Sequence, residues 1–133
     1  MVVVDTNVLG YLLLEGEQTP HARALLAQDA DWRSESFVMV EMTNVLAVMR
    51  VRGMPLRDAT IVLVNAQIVI QPGLEVADHA QVLELAARRK ISACDARFVA
   101  IARDLGTRLV TEDAKLRRAA PELTQSIAEA LAA

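Results

Sequence analysis

The chain has 133 residues, a mass of 14.5 kDa and a formal net charge of −3 at pH 7. This length predicts a single domain spanning residues 1–133 that can bury a hydrophobic core. Hydrophobic residues make up 53% of the chain and aromatic residues only 3%. We therefore expect a core of small aliphatic side chains, which suits helices packed on a parallel sheet.

Several classes of protein are disfavoured by the same counts. The single cysteine, Cys94, excludes an internal disulfide and a cysteine-based zinc site, and it favours the reducing cytoplasm. We expect neither a membrane span nor a signal peptide, because no apolar run is long enough and acidic Asp5 precedes any basic residue. The two histidines, His21 and His79, are far apart, and the glycines are scattered singly, so neither a histidine-centred site nor a nucleotide cofactor is expected.

Apolar periodicity predicts strands that alternate with helices. In chain order we expect a strand at residues 2–4, helices at 8–14 and 20–28, a weak strand at 32–36, a helix at 37–52, a helix beginning at Pro55, a strand at 67–70, a turn at 72–73, helices at 76–90 and 92–105, a strand at 108–110 and a short helix from Asp113 to Pro121. Residues 122–133 predict a final helix or a frayed tail. The alternation indicates a three-layer α/β/α sandwich around a short parallel sheet.

Four carboxylates stand at informative places in this scheme: Asp5, Glu41, Asp95 and Asp113. Asp5 and Asp113 each follow a predicted strand, so both belong at the carboxyl edge of the sheet, where open parallel sheets bind ligands. Asp95 and Glu41 lie in the first turns of their predicted helices. If the fold gathers these acids, their mutual repulsion is relieved by a divalent cation. The pattern therefore predicts a metal-dependent nuclease.

Each aspartate also has an ordinary structural interpretation. Asp5 and Asp113 can cap the helices that follow them, and Ser92 with Asp95 fits a capping box. Glu41 is harder to explain in this way, because it lies on the flank of an apolar helical stripe without a basic residue three or four positions away. A carboxylate there costs several kcal/mol unless it is paired or binds a cation.

The order of these motifs resembles that of the PIN-domain ribonucleases. The relevant segments are Asp5-Thr6-Asn7 after the opening strand, Val40-Glu41-Met42, residues 92–96 (Ser-Ala-Cys-Asp-Ala) and residues 109–116 (Leu-Val-Thr-Glu-Asp-Ala-Lys-Leu). Within that family the chain is most similar to the small VapC toxins of bacterial toxin–antitoxin pairs. The resemblance covers residues 1 to about 121.

The resemblance implies a PIN-like parallel sheet, RNA cleavage that depends on Mg²⁺ or Mn²⁺, homodimerisation and inhibition by a cognate antitoxin protein. It transfers the metal-binding and catalytic role to Asp5, Glu41, Asp95 and Asp113, and a supporting role to Asn7, Thr6, Ser92 and Thr111. One departure is visible. Such domains usually have a last strand after the fourth acid, and residues 125–127 are a poor candidate for it.

In this reading the acids hold one or two hard cations that activate water for attack on an RNA phosphodiester. Asp5 and Asp95 are the expected direct ligands, whereas Glu41 and Asp113 bind directly, bind through water or position the nucleophile. Glu112 is left out of the site, because neighbouring side chains point apart at a helix start. The candidate contacts to RNA or an antitoxin are basic residues: Arg50, Arg52, Arg57, Arg97, Lys115, Arg117 and Arg118.

Other classes of protein remain as alternatives. A receiver-like signalling domain requires an acidic pair after the first strand, but Thr6 and Asn7 follow Asp5. A PIN-fold RNA-processing nuclease without an antitoxin, and a catalytically idle interaction module, fit the same fold. For an antitoxin, the apolar region 46–64 with its arginines predicts a groove for an amphipathic or extended peptide with acidic or aromatic anchors. Core packing or a dimer interface explains that region equally well.

Overall fold

A computed structural model describes all 133 residues. Its centre is a sheet of five parallel strands: β1 (Val2–Val4), β2 (Trp32–Glu35), β3 (Leu74–Glu75), β4 (Leu109–Val110) and β5 (Thr124–Gln125). Their spatial order is β3-β2-β1-β4-β5. The first strand is therefore central, and its Val3 and Val4 are fully buried. Because all strands are parallel, their carboxyl ends share one edge.

Eight helices flank this sheet: α1 (Thr6–Leu13), α2 (Thr19–Gln28), α3 (Phe37–Val51), α4 (Leu56–Ile70), α5 (His79–Arg89), α6 (Ala93–Asp104), α7 (Ala114–Ala119) and α8 (Ile127–Ala132). Helix α6 contacts β1, β2 and β4, and α5 packs on α6. Helix α1 packs against α2, α3 and α4, and α2 also contacts α8. The predicted α/β fold with a parallel sheet is confirmed. None of the helices combines the length and apolarity needed to cross a bilayer.

The strand predicted at residues 67–70 is wrong, because α4 continues through Ile70. A short apolar run does not by itself distinguish a strand from the end of a helix. Here Ile70 is buried while Ile68 is 69% exposed, as on a helix with one face packed. The third strand lies beyond the Gln71–Gly73 turn, where Leu74 pairs with Ser34 of β2.

The start of α5 and the C-terminal end also differ from expectation. The helix predicted from residue 76 begins at His79, because the Asp78 carboxylate caps it by accepting from the Gln81 amide at 3.0 Å. A last strand does form, as β5 pairs with β4 and includes Gln125, the first residue of the segment considered a poor candidate. It is followed by α8, whose first residue, Ile127, donates its amide to the Glu112 carboxylate at 3.0 Å.

Gly73 allows the chain to pass close to strand β2. A Cβ atom at this buried position would lie 2.1 Å from the Trp32 carbonyl oxygen and 3.0 Å from the Arg33 Cα atom. Both neighbours belong to the backbone, so neither can move aside as a flexible side chain can. Only glycine fits here without displacing β2 or β3.

We therefore predict that Gly73→Ala lowers the free energy of unfolding by roughly 3 kcal/mol, the upper end of overpacking costs. Urea unfolding measures the change. Gly16→Ala is the matched control, because its Cβ would meet no atom closer than 3.9 Å. Equal stability of the two variants would contradict the close approach of the chain at Gly73.

Candidate active site

All four predicted carboxylates line one open pocket of about 450 Å³ at the carboxyl edge of the sheet. The pocket is lined by Asp5, Thr6, Asn7, Phe37, Val40, Glu41, Asn44, Val45, Cys94, Asp95, Phe98, Asp113 and Leu116. No lysine, arginine or histidine is among these residues. The pocket therefore combines four acids from four separate segments with no basic side chain to balance them.

Asp5 follows β1 directly and is the N-terminal cap of α1. Its half-buried carboxylate accepts a hydrogen bond from the Val8 amide at 3.0 Å. Burial raises the pKa of Asp5 from 3.8 to about 6, and the nearby Asp95 and Asp113 carboxylates add to the rise. Hydrogen bonds from the Thr111 side chain and the Val8 backbone oppose it. The pocket thus disfavours negative charge on Asp5 when no cation is present.

Glu41 lies in the second turn of α3 and reaches α1. Its Oε1 atom accepts a hydrogen bond from the hydroxyl of the buried Thr6 at 2.7 Å. No basic side chain contacts it, in agreement with the expectation from the sequence. Thr6 fixes one carboxylate oxygen but cannot neutralise the charge.

Asp95 and Ser92 form only half of the predicted capping box. The Ser92 hydroxyl accepts from the Asp95 amide at 3.0 Å, so Ser92 caps α6. The Asp95 carboxylate takes part in no hydrogen bond or ion pair within the protein. Its location on the pocket wall therefore has no explanation in helix capping.

Asp113 caps α7 by accepting from the Leu116 amide at 3.1 Å. Its own amide donates to the hydroxyl of buried Thr111, also at 3.1 Å. The adjacent Glu112 is absent from the pocket and instead accepts from the Ile127 amide. The two neighbouring acids thus serve different parts of the structure.

The predicted supporting and contact residues fall into separate groups. Asn7 and Thr6 line the pocket, whereas Ser92 and Thr111 hold the backbone around it. Arg50, Arg52 and Arg57 lie around the α3–α4 connection, and Lys115 is exposed beside Asp113. Arg97 does not line the pocket and forms an ion pair with the fully buried Glu35.

Sequence reasoning missed four residues of interest here. Phe37, Phe98 and Cys94 line the pocket, and their proximity to Glu41 and Asp95 in the sequence was the available signal. Glu35 had none, because its partner Arg97 is 62 residues away.

The donor set fits a hard divalent cation. Carboxylate, amide and hydroxyl oxygens are the ligands that Mg²⁺ and Mn²⁺ prefer, and the pocket supplies them from Asp5, Glu41, Asp95, Asp113 and Asn7. No three of its acids already converge into a compact metal-binding cluster.

The model of the PIN-domain family matches residues 2–121, and the chain belongs to that family. PIN domains are generally nucleases, and PIN nucleases generally use divalent metal ions. No curated protein gives a significant match to the sequence.

Two solved structures share the fold. PAE2754 from Pyrobaculum aerophilum superposes with a TM-score of 0.78 at 19% identity, covering 98% of this chain and 93% of that one. FitAcB from Neisseria gonorrhoeae gives a TM-score of 0.67 at 18% identity, covering 91% of this chain and 94% of that one. At these identities the likeness establishes the fold.

The raised pKa of Asp5 has a consequence for stability in the absence of metal. Because the folded-state pKa of about 6 exceeds the ordinary 3.8, the folded protein holds a proton that the unfolded chain releases. The contribution of Asp5 to the free energy of unfolding therefore falls by about 3 kcal/mol as pH rises from about 4 through about 6. Urea unfolding in EDTA at a series of pH values measures this decline.

Asp5→Asn removes the titrating group but keeps a good helix cap. We predict that its unfolding free energy in EDTA loses this decline, so that the variant is more stable than wild type at pH 7. Asp104→Asn, an exposed aspartate at the end of α6, should retain the wild-type profile. A wild-type pH dependence in Asp5→Asn would show that Asp5 is not the destabilised acid.

Proposed function

We propose that the protein is an endoribonuclease that hydrolyses RNA phosphodiester bonds with the help of Mg²⁺ or Mn²⁺. One observation supports this most strongly: four carboxylates from separate segments line one open pocket that contains no basic side chain. A purely structural role does not explain this arrangement, because gathering like charges costs stability. Membership of the PIN-domain family also supports a nuclease function.

Each residue of the pocket has a proposed role in binding the metal or the phosphate. Asp5 and Asp95 are the proposed direct ligands, and Glu41 and Asp113 complete the oxygen donors or orient the attacking water. Thr6 keeps Glu41 turned toward the pocket, and Asn7 offers an exposed amide to the phosphate. When bound, the metal lowers the pKa of a coordinated water and offsets charge on the scissile phosphate.

The direct test is incubation of total cellular RNA with the protein in Mg²⁺, in Mn²⁺ and in EDTA, with cut ends mapped by sequencing. We predict cutting at few sites, abolished by EDTA and reduced roughly a hundredfold or more in Asp5→Asn, as expected when a group that stabilises transition-state charge is lost. Activity that survives both treatments would rule out the proposed mechanism.

A second test follows metal binding without RNA. A cation that binds only the folded protein raises its stability by about 2.7 kcal/mol at a hundredfold excess over the dissociation constant. We predict that Asp95→Asn loses most of the Mn²⁺ response in thermal melts while its stability in EDTA is maintained, because its carboxylate has no partner to lose. Asp104→Asn is the control on the same helix. Equal Mn²⁺ responses of wild type and Asp95→Asn would remove Asp95 from the site.

We further propose that this nuclease is the toxin of a type II toxin–antitoxin pair, acting in the cytoplasm as a homodimer and restrained by a cognate antitoxin. The support is the VapC-like motif order together with an apolar groove between α3 and α4. The groove, of about 330 Å³, is lined by Thr43, Leu46, Ala47, Arg50, Leu56, Ala59, Thr60 and Leu63. Arg50 lies on its wall and donates to the Met54 carbonyl at 2.8 Å.

If a peptide of the antitoxin occupies this groove, an acid within it should weaken the complex. We predict that Leu56→Glu reduces co-purification with the product of a small neighbouring gene and its relief of toxicity. Val76→Glu is the control, because Val76 is similarly exposed, at 75% against 64%, but lies outside the groove. Failure of every co-expressed neighbour to bind the wild-type protein would contradict the toxin role while leaving the nuclease intact.

A further inference from the structure

Glu35, the last residue of β2, is a fully buried carboxylate outside the acid pocket. Its Oε1 atom accepts hydrogen bonds from the Phe37 amide at 2.7 Å and from the Ser36 hydroxyl at 2.8 Å. Its Oε2 atom accepts from Arg97 Nε at 2.5 Å. Both oxygens are thus bound by groups of the protein, which fixes the carboxylate in one orientation.

On one side, Glu35 holds the start of α3. Ser36 occupies the N-terminal cap position of this helix but makes no side-chain bond to its amides. Glu35 takes over that task through the Phe37 amide, and its negative charge is favourable at a helix N-terminus. Glu41 lies one turn further along the same helix. Glu35 therefore anchors the helix that carries one acid of the pocket.

On the other side, Arg97 belongs to α6 and follows Asp95 by two residues. Its side chain is only 20% exposed, and its Nη1 atom lies 3.3 Å from Nδ1 of His79, the first residue of α5. The Glu35–Arg97 pair thus joins the start of α3 to the first turns of α6. These two helices carry Glu41 and Asp95.

We propose that the Glu35–Arg97 ion pair is a positioning device for the acid pocket. It sets the separation of α3 and α6 so that Glu41 and Asp95 act on the same cation and phosphate; this inference rests on the proposed function. Neither side chain lines the pocket, so both act through the helices that they connect. An exposed pair would hold the helices weakly, whereas in this pair Glu35 is fully buried with both oxygens hydrogen-bonded, and the Arg97 side chain is only 20% exposed.

A purely stabilising pair makes a different prediction. The two charges of a buried pair can often be removed together with little loss of stability, whereas removal of one leaves the other buried and unpaired. The positioning of α3 relative to α6, in contrast, is lost whenever the Glu35–Arg97 ion pair is removed, in a single or a double variant. The experiment therefore compares Glu35→Gln, Arg97→Met and the double variant. Glu35→Gln keeps a carbonyl oxygen for the Phe37 amide.

Three quantities are measured for each variant: Tm in EDTA, the Kd for Mn²⁺ from the electron paramagnetic resonance signal of free Mn²⁺, and kcat and KM for RNA cleavage. We expect Tm to fall in the single variants and to recover in the double variant. In that double variant kcat should fall and the Kd for Mn²⁺ should rise by about 10–100-fold, as for groups that orient metal ligands, with KM unchanged.

Arg89 and Glu122 provide a matched control pair. They form an ion pair between α5 and the segment before β5, and neither residue lines the pocket. The double variant Arg89→Met/Glu122→Gln removes the same two charge types away from α3. We expect its kcat and its Kd for Mn²⁺ to equal those of wild type.

Recovery of kcat and Mn²⁺ affinity together with Tm in the Glu35/Arg97 double variant would overturn the positioning role. Absence of Mn²⁺ binding and of cleavage in wild type would overturn the proposed function instead. Amide chemical shifts of the metal-free protein distinguish failure of the positioning role from failure of the proposed function, because they require neither metal nor RNA. We expect the amide chemical shifts of Glu41 and Asp95 to change in the Glu35/Arg97 double variant and to equal those of wild type in the Arg89/Glu122 double variant. Unchanged shifts in both variants would exclude positioning whatever the activity.

Discussion

The central constraint on this structure is that four carboxylates line one pocket without a basic partner. Three of these acids are restrained by hydrogen bonds from helix amides or a hydroxyl. Asp5 and Asp113 each accept from an amide in the first turn of the helix that they begin, and Glu41 accepts from the hydroxyl of Thr6. These bonds hold the carboxylates in position but leave their charge largely uncompensated. The fold therefore sets the geometry of the pocket without neutralising its acids.

Helix capping and metal binding are the two explanations that the sequence offers for the aspartates. The two roles are compatible in principle, because a cap uses one of about four lone-pair sites of a carboxylate. Asp5 is the clearest case, because it caps α1 and yet has a pKa of about 6. A fully satisfied cap would lower the pKa of the acid, so the rise shows that burial and the neighbouring acids outweigh the cap.

Local patterns predicted the parts of the fold that have strong local signals. The first strand, the helix starting at Phe37 and the capped start of α6 follow from apolar runs and from Ser92. Strand β4 has only two residues but both are apolar, whereas β3 (Leu74–Glu75) and β5 (Thr124–Gln125) contain polar residues, so no apolar run marks them. The burial of Glu35 could not be predicted either, because its environment is created by long-range contacts such as the ion pair with Arg97.

The four acids of the pocket are not equivalent. Asp5, Glu41 and Asp113 each have a hydrogen bond from the protein that restrains the side chain. Asp95 has none, so its orientation is limited only by its own rotamers and by the position of α6. Asp95 is thus the least restrained acid of the pocket, and its helix also carries Arg97, the partner of the buried Glu35. If the ion pair holds α6 in place as proposed, Asp95 can change its rotamer to meet a cation without any rearrangement of the backbone.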